Sequence, residues 1–487
     1  MALLDGVDRR HPTALRTPSS PQISKANDVK FLIDGEGYFS ELDNRIRQAR
    51  RTIWIVGWDF DPDIRLRPGR SQETLGELLE TMVSDNPALE VRILIWGMGP
   101  IYSGKSLRLF RQKEFPRHAR IKLRFDFRHP VRGCHHQKLV CIDDVTGFIG
   151  GIDLTARRWD DSSHQPQNAL RAEPRGKSYG PVHDLQAMVS GGAARLIGNV
   201  VRRRWKQATG DDRAADAVAR TGTVAPSLVP ADMAVRLAVT EPGRFGRRGR
   251  REGIVLTHQL LRSAKRQIYI ETQYLASFGV GRILAERLRQ EDGPEIVILV
   301  TRSSHGLIEK IMMGSNRDRL IRKLKRADRH DRLRVMYPVV PDGDGECEVL
   351  VHSKLIIADD RLLRLGSSNL NNRSEGIDSE CDMLIEAISE VQRGEISGLR
   401  DRLLAEHMAT TPKIVQSTMA TLGSLNETIG RLNVGRRCLR HFPVNVASGA
   451  VSPVLGTDMV DPSRPFSPLR QLRLQAGLLR TRIASLL

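Results

Sequence analysis

The chain carries two copies of one pattern, and nothing else in it restricts the possible folds as much. Residues 49–55 read ARRTIWI and residues 264–270 read AKRQIYI, 215 positions apart. Each closes a helix-like stretch (GYFSELDNRIRQ and GIVLTHQLLRS) and enters a short apolar run. Those runs, Ile53–Gly57 and Ile268–Glu271, are expected to be buried strands. Further apolar runs follow in both copies: Val91–Trp96 and Ile121–Phe125 in the first, Ile296–Val300 and Leu333–Tyr337 in the second. A more specific string then recurs. His136-Gln-Lys138-Leu-Val-Cys-Ile-Asp143 is matched 216 positions on by His352-Ser-Lys354-Leu-Ile-Ile-Ala-Asp359. Six residues after the aspartates come Gly150-Gly151-Ile-Asp153 and Gly366-Ser367-Ser-Asn369. Strands alternating with helices imply an α/β fold. The expected architecture is two duplicated α/β sandwich halves with mixed sheets, related by a pseudo-twofold axis, with the functional site at their interface.

On this pattern residues 26–205 form the first half and 233–410 the second. Residues 1–25, rich in Pro, Ser and Arg, are expected to be mobile, and the small, polar stretch 206–232 to link the halves. Arg244–Arg251 reads as a basic, glycine-rich loop. Residues 411–487 form a C-terminal extension. Within it, Leu469, Leu472, Ala476, Leu479, Ile483 and Leu486 fall on one stripe, with Arg470, Arg473, Arg480 and Arg482 mostly off it. That is an amphipathic helix, expected to dock on the protein's own core rather than on a membrane.

The formal charge of +19 favours anionic partners, either phospholipid surfaces or nucleic acid. The five cysteines are odd in number and lack metal-ligand spacing, so they are expected to be reduced. The first residues hold no apolar segment of the signal-peptide kind, and no run approaches a membrane span. The expected location is cytoplasmic or peripheral at the inner membrane face.

The chemistry of the repeated string follows from strand geometry. In H-x-K the two side chains point to one face of a strand, two residues apart. One copy offers a nucleophile or an acid, plus a cation, but not both a nucleophile and a separate acid. Two copies brought together offer both. Lys138 and Lys354 can then bind phosphoryl oxygens, while one of His136 and His352 attacks phosphorus and the other protonates the leaving oxygen. Cations around the developing charge lower the barrier. Neither a cofactor nor a metal is expected. His136, Lys138, Asp143, His352, Lys354 and Asp359 are thus the candidate catalytic set. Within it, Asp143 and Asp359 are expected to fix local structure rather than touch substrate.

At these residues the sequence resembles the phospholipase D superfamily, whose signature is H-x-K-x4-D-x6-G-(G/S)-x-N. The resemblance runs from about Val29 to His407 and is nearest to the bacterial and plant phospholipases D. Cys134–Lys138 resembles their HHQK segment, Phe148–Leu154 their first glycine motif, Pro181–Asp184 their P-W-H-D segment, and Ile268–Tyr274 their I-Y-I-E-N-Q-Y segment. Ser367–Ser374 and Asp378–Glu380 resemble the stretch after the second motif. The resemblance implies a covalent phosphohistidine, with His136 as nucleophile and His352 as general acid and then base. The near-symmetry of the two motifs leaves the reverse assignment open. It implies that Asp184 and Glu380 orient the opposite half's histidine, and that Asn369 donates to the phosphoryl group. Asp153 holds the equivalent place in the first half, and Ser367 is a supporting residue. Val182 stands where the family usually has Trp, and no recognisable lipid-binding module of the plant or animal type is present.

The function expected from these residues is hydrolysis of glycerophospholipids to phosphatidic acid, with transfer to other alcohols as the same chemistry. A cardiolipin-synthase-like phosphatidyltransferase and a nuclease of the same superfamily are the alternatives. The expected partner is a phospholipid at a membrane surface, with nucleic acid second. The chain is expected to be a monomer containing an internal pseudo-dimer.

Overall fold

The computed structural model describes residues 22–98, 115–211, 233–243, 249–303, 314–457 and 461–462. Two large mixed sheets dominate it. In the first, seven strands lie in the order Val29–Ile33, Leu185–Ser190, Thr146–Gly150, Leu139–Ile142, Thr52–Gly57, Glu90–Trp96, Ile121–Asp126. In the second, the same order recurs as Met233–Glu241, Glu380–Glu386, Leu362–Gly366, Lys354–Ala358, Gln267–Thr272, Glu295–Val300, Leu333–Asp342. The pairing senses also repeat, with four antiparallel neighbours followed by two parallel ones. The duplication seen in the sequence is therefore a duplication of topology.

The spacing of the repeated string has a local cause. Leu139–Ile142 and Thr146–Gly150 are the arms of a hairpin joined by Asp143, Asp144 and Val145, with Asp143 and Asp144 at the centre of a turn closed by the Val145 N–H on the Ile142 carbonyl (3.0 Å). Both turn residues have positive φ (54° and 56°), the I′ pattern that Asp tolerates. Asp359 and Asp360 repeat this, at 54° and 52°, between Lys354–Ala358 and Leu362–Gly366. H-x-K thus leads into a strand, the aspartate turns the chain, and the returning strand ends at the glycine pair.

Alternation along the central strands divides the apolar residues among three cores. Ile53, Ile55, Val140 and Ile142 face outward in the first half, beneath the helices Asp34–Arg47 and Leu75–Asp85. Ile268, Ile270, Ile356 and Ala358 do the same in the second half. Trp54, Val56, Leu139 and Cys141 face inward and share one core with Tyr269, Leu355, Ile357 and Leu363 of the other sheet. The helices Gly192–Thr209 and Glu390–His407 contribute Trp205, Val201, Leu399 and Leu403 to that shared layer. Trp205 meets Trp54 edge-on, ring centroids 5.8 Å apart.

The ends depart from the sequence expectation. Residues 22–25, within the segment expected to be mobile, join Ala26 in a strand paired antiparallel with Met233–Glu241, so the N-terminal segment extends the second half's sheet. The helix Gly192–Thr209 runs into the expected linker and stops at Gly210, whose φ is +77°. In the C-terminal extension, Cys438–His441 adds an antiparallel strand to Leu333–Asp342. Arg244–Arg248 of the basic loop and the amphipathic stretch 469–486 lie outside the described residues. No helix among the described residues is long and apolar enough to cross a membrane. All five cysteines are free thiols.

Candidate active site

Each motif histidine lies just before the inner arm of its hairpin and is held by the opposite half. The backbone N–H of His136 donates to the Ser379 carbonyl (2.9 Å), and that of His352 donates to the His183 carbonyl (2.7 Å). The residues that follow those carbonyls are Glu380 and Asp184. His136 Nδ1 lies 3.0 Å from Glu380 Oε2, and His352 Nδ1 lies 2.5 Å from Asp184 Oδ2. Parallel pairing of Val182–His183 with Leu350–Val351 fixes the second crossing. A carboxylate on Nδ1 fixes the imidazole's orientation and directs Nε2 away from it. The two crossed pairs are spread over both halves, so neither half contains a complete one.

Two lysines complete the centre. Lys138 Nζ is 3.0 Å from Asp153 Oδ2 and donates to the His136 carbonyl (3.0 Å). Lys354 Nζ donates to Gln273 Oε1 (3.2 Å) and to the His352 carbonyl. Burial pushes the Lys354 ammonium down to about 7, against the pull of Asp184 and with the repulsion of Lys138 and Arg158 added. Burial also pushes both motif imidazoles well below the usual histidine range, reinforced at His136 by Lys138 and Lys354 and at His352 by Lys354.

The carboxylates behind the imidazoles differ. Burial lifts Glu380 to about 8, although Ser367 and Ser374 donate to it and so oppose the shift (2.5 and 2.7 Å). Burial also opposes ionisation of Asp184, but the charge and hydrogen bond of His352 outweigh it, with Lys354 and the Leu185 N–H (2.8 Å) adding to them, and its pKa falls. Near neutrality Glu380 is a neutral acid and Asp184 an anion. Asn369 is buried, with Oδ1 lacking a hydrogen-bond partner.

Asp143 and Asp359 sit elsewhere. Asp143 accepts from the backbone N–H groups of Arg50, Arg51 and Thr52 at 2.7, 2.8 and 2.7 Å. Asp359 accepts from Lys265, Arg266 and Gln267 at 2.7, 2.8 and 3.0 Å. Each pins its hairpin turn to the start of the neighbouring strand. The ARRTIWI and AKRQIYI repeats thus begin at the residues these aspartates hold.

The glycine pairs allow close approach. A Cβ on Gly151 would lie 2.2 Å from Asp184 Oδ1, and one on Gly150 2.3 Å from Gln186 Oε1. Several supporting residues were not evident from the sequence. His135 bonds to Ser379 Oγ (2.9 Å) and its Nε2 lies 3.1 Å from Asp126 Oδ2, and Arg204 joins Asp126 (2.9 Å), Ser379 Oγ (3.2 Å) and Gln137. This network braces the segment that carries Glu380. Arg158 adds a third cation close enough to lower the pKa values of His352 and Lys354. No motif marks Arg158, Arg204 or Asp126, whereas Gln273 lies in the I-Y-I-E segment already singled out.

A duplicated α/β fold with crossed His–carboxylate pairs and one lysine from each half defines a two-motif H-x-K protein. The chain belongs to the phospholipase D superfamily: the phospholipase D family model matches residues 45–233, and the model described as cardiolipin synthase, phospholipase D-like domain, matches residues 257–395. Phospholipase D A of Dictyostelium discoideum is 25% identical over 482 residues, covering 83% of this chain and 37% of that protein. Phospholipase D2 of Bos taurus is 32% identical over 143 residues, covering 27% of this chain and 14% of that protein. The chain therefore spans little more than a third of the length of the first of these relatives. Among solved structures, phosphatidylserine synthase of Haemophilus influenzae shares the fold, with a TM-score of 0.54 and 16% identity over 85% of this chain and 97% of that one.

Proposed function

We propose that this chain is a phospholipase D-type phosphodiesterase that cleaves glycerophospholipids to phosphatidic acid and a free head group through a phosphohistidine. The observation that carries the reading is the crossed pairing of His136 with Glu380 and His352 with Asp184, beside Lys138 and Lys354. In the forward step the nucleophilic Nε2 attacks phosphorus, the P–O bond to the head group breaks, and the other imidazole delivers a proton to the departing oxygen. The lysines and Arg158 hold the non-bridging oxygens. In the second step the same imidazole takes a proton from water, whose oxygen displaces the histidine. An alcohol in place of water gives transfer by the same route.

The unequal carboxylates favour one assignment. Burial drives the proton off both imidazoles, but anionic Asp184 opposes this at His352, which makes His352 the better carrier of the general acid's proton. Burial, with Lys138 and Lys354, leaves His136 as the unprotonated imidazole, and neutral Glu380 adds no charge to oppose this, which suits a nucleophile. A single chain supplies both motifs, so a monomer suffices. The basic surface is the part of the protein suited to an anionic membrane.

The test offers purified protein phosphatidylcholine–phosphatidylglycerol vesicles, with and without ethanol, and DNA separately, with no added metal. Phosphatidic acid, joined by phosphatidylethanol when ethanol is present, is the expected product. Cleaved DNA with untouched lipid would replace this reading with the nuclease one. The His136→Ala variant is expected to lose activity by several orders of magnitude.

A further inference from the structure

Behind the His352 motif lies a second cluster of ligating side chains that the reaction does not use. Asp34 opens the first helix, His164 lies in the loop after the first glycine pair, His183 precedes Asp184, and Glu406 is near the end of the helix Glu390–His407. One donor atom from each lies within 4.8 Å of all the others. His183 Nδ1 is 3.0 Å from Asp34 Oδ1 and 3.1 Å from Glu406 Oε1. His164 Nε2 is 3.0 Å from Glu406 Oε1 and 3.5 Å from Asp34 Oδ2. We propose that these four residues form a structural divalent-metal site of the zinc class, which fastens the two halves together behind the catalytic centre.

Three observations carry this. First, the edges match. Four N and O ligands about 2.0–2.1 Å from a tetrahedral zinc stand roughly 3.3 Å apart, inside the range of the observed separations. Second, the cluster contains orphaned donors. Asp34 and His183 are buried, at 1% and 0% exposure, yet Asp34 Oδ2 and His183 Nδ1 have no hydrogen-bond partner. A single imidazole nitrogen facing two carboxylate oxygens can donate to only one, and here the geometry satisfies neither. A cation on the Nδ1 lone pair and on both carboxylates would satisfy all three. Third, each histidine's far nitrogen is already held by a carboxylate. His164 Nδ1 meets Asp160 Oδ2 at 2.9 Å, and His183 Nε2 meets Glu271 Oε2 at 3.1 Å. Asp160 is fixed in turn by Arg171, at 2.9 and 3.1 Å. Metal-ligating histidines are oriented in this way in metalloproteins.

The neighbouring trio of His183, Glu271 and His407 is a weaker candidate. Glu271 is already committed to the Tyr269 hydroxyl (2.6 Å), the Ser353 hydroxyl (2.8 Å) and His183. It acts as the outer support of the site. With a divalent ion, Asp34 and Glu406 make the buried centre neutral. The link to catalysis is one of positioning: the Asp184 N–H donates to Asp34 Oδ1 (3.2 Å), and the Asp34 N–H donates to the Asp184 carbonyl (2.9 Å). Whatever holds Asp34 therefore holds the residue that orients His352. The inference rests on this cluster alone and stands whichever substrate the protein cleaves.

The test uses the untagged full chain, desalted and measured by elemental analysis. Roughly one zinc-class ion per chain is expected. Prolonged chelation should lower the melting temperature, and adding back Zn2+ alone should restore it. Co2+ added to the stripped protein should show visible absorption of a tetrahedral centre. Asp160→Asn, which leaves all four ligands in place, should weaken metal retention by about 10–100-fold. Metal-free protein whose melting temperature does not respond to Zn2+, Co2+, Mn2+ or Fe2+ would overturn the proposal. So would a full complement of metal in a folded His164→Ala variant, since the ion would then sit elsewhere.

Discussion

Asp143→Asn separates structure from chemistry within the H-x-K-x4-D string. Asn keeps the tolerance for positive φ that the turn needs, so backbone strain does not confuse the outcome. Its amide presents one acceptor, enough for the Arg51 and Thr52 N–H groups that now share Oδ1. The acceptor for the Arg50 N–H is lost. Hydrogen bonds to charged groups contribute about 1.5–3 kcal/mol and neutral ones about 0.5–1.5, so weakening two bonds by about 1–1.5 kcal/mol each and losing the third come to roughly 3.5–6 kcal/mol. The low end is favoured because Arg50 and Arg51 reach solvent and water can replace part of the loss. For a cooperative unit of about 200 residues, each kcal/mol moves the melting temperature by about 2–4 °C, so a fall of roughly 7–14 °C is expected. Turnover per folded molecule, measured well below the transition, should stay within about threefold of the parent. Asp359→Asn should behave alike, and the two effects should add, because the turns lie in separate halves. An unchanged melting temperature with turnover reduced about a hundredfold would refute the reasoning and return Asp143 to the reacting groups.

Other consequences are equally direct. Gly151→Ala would place a methyl group 2.2 Å from Asp184 Oδ1, so the carboxylate must leave His352; kcat should fall at least about tenfold while the fold survives by circular dichroism, and full activity would refute the close approach. With Lys354 pushed down to about 7 in the free protein, kcat/KM should decline as pH rises through that value, whereas a bound phosphodiester anion retains the ammonium and moves the kcat limb higher; a kcat/KM that climbs from pH 7 to 9 would contradict this. Glu380 titrates near 8 in the folded protein against 4.5 ordinarily, so its contribution to stability is full below about 4.5 and is lost as pH rises through about 8. Glu380→Gln should therefore flatten the fall in melting temperature between pH 5 and 8, and a parallel profile would count against a neutral Glu380.

What was legible in the sequence is what short-range geometry writes there. The motif spacing is that of a strand, a three-residue connection and a returning strand, each set by neighbours a few residues away. It repeats because the hairpin repeats. The strands themselves were legible because buried central strands need apolar runs. Asp143 and Asp359 were expected to fix local structure; the backbone N–H groups they accept from lie 91–94 residues earlier in the chain, a link that no local spacing shows.

Tertiary structure decided what joins distant parts of the chain. The carboxylate facing His136 is 244 residues away, and the one facing His352 is 168 away. Asp184 and Glu380 were reached through family resemblance, not spacing, because no local periodicity links a side chain to a partner at such distance. Arg158, Arg204 and Asp126 carry no signature and acquire meaning only from their neighbours in space. Residues 22–25 looked mobile because so short a segment has little to bury by itself, and only the edge of the second sheet gives it partners. Asp34, His164, His183 and Glu406 come from four separate segments, so no spacing rule for metal ligands could gather them. Hairpins and strands follow from the chain's local preferences. The crossed pairs and the buried cluster arise only once two similar halves close on each other and bury charges that must then find one another.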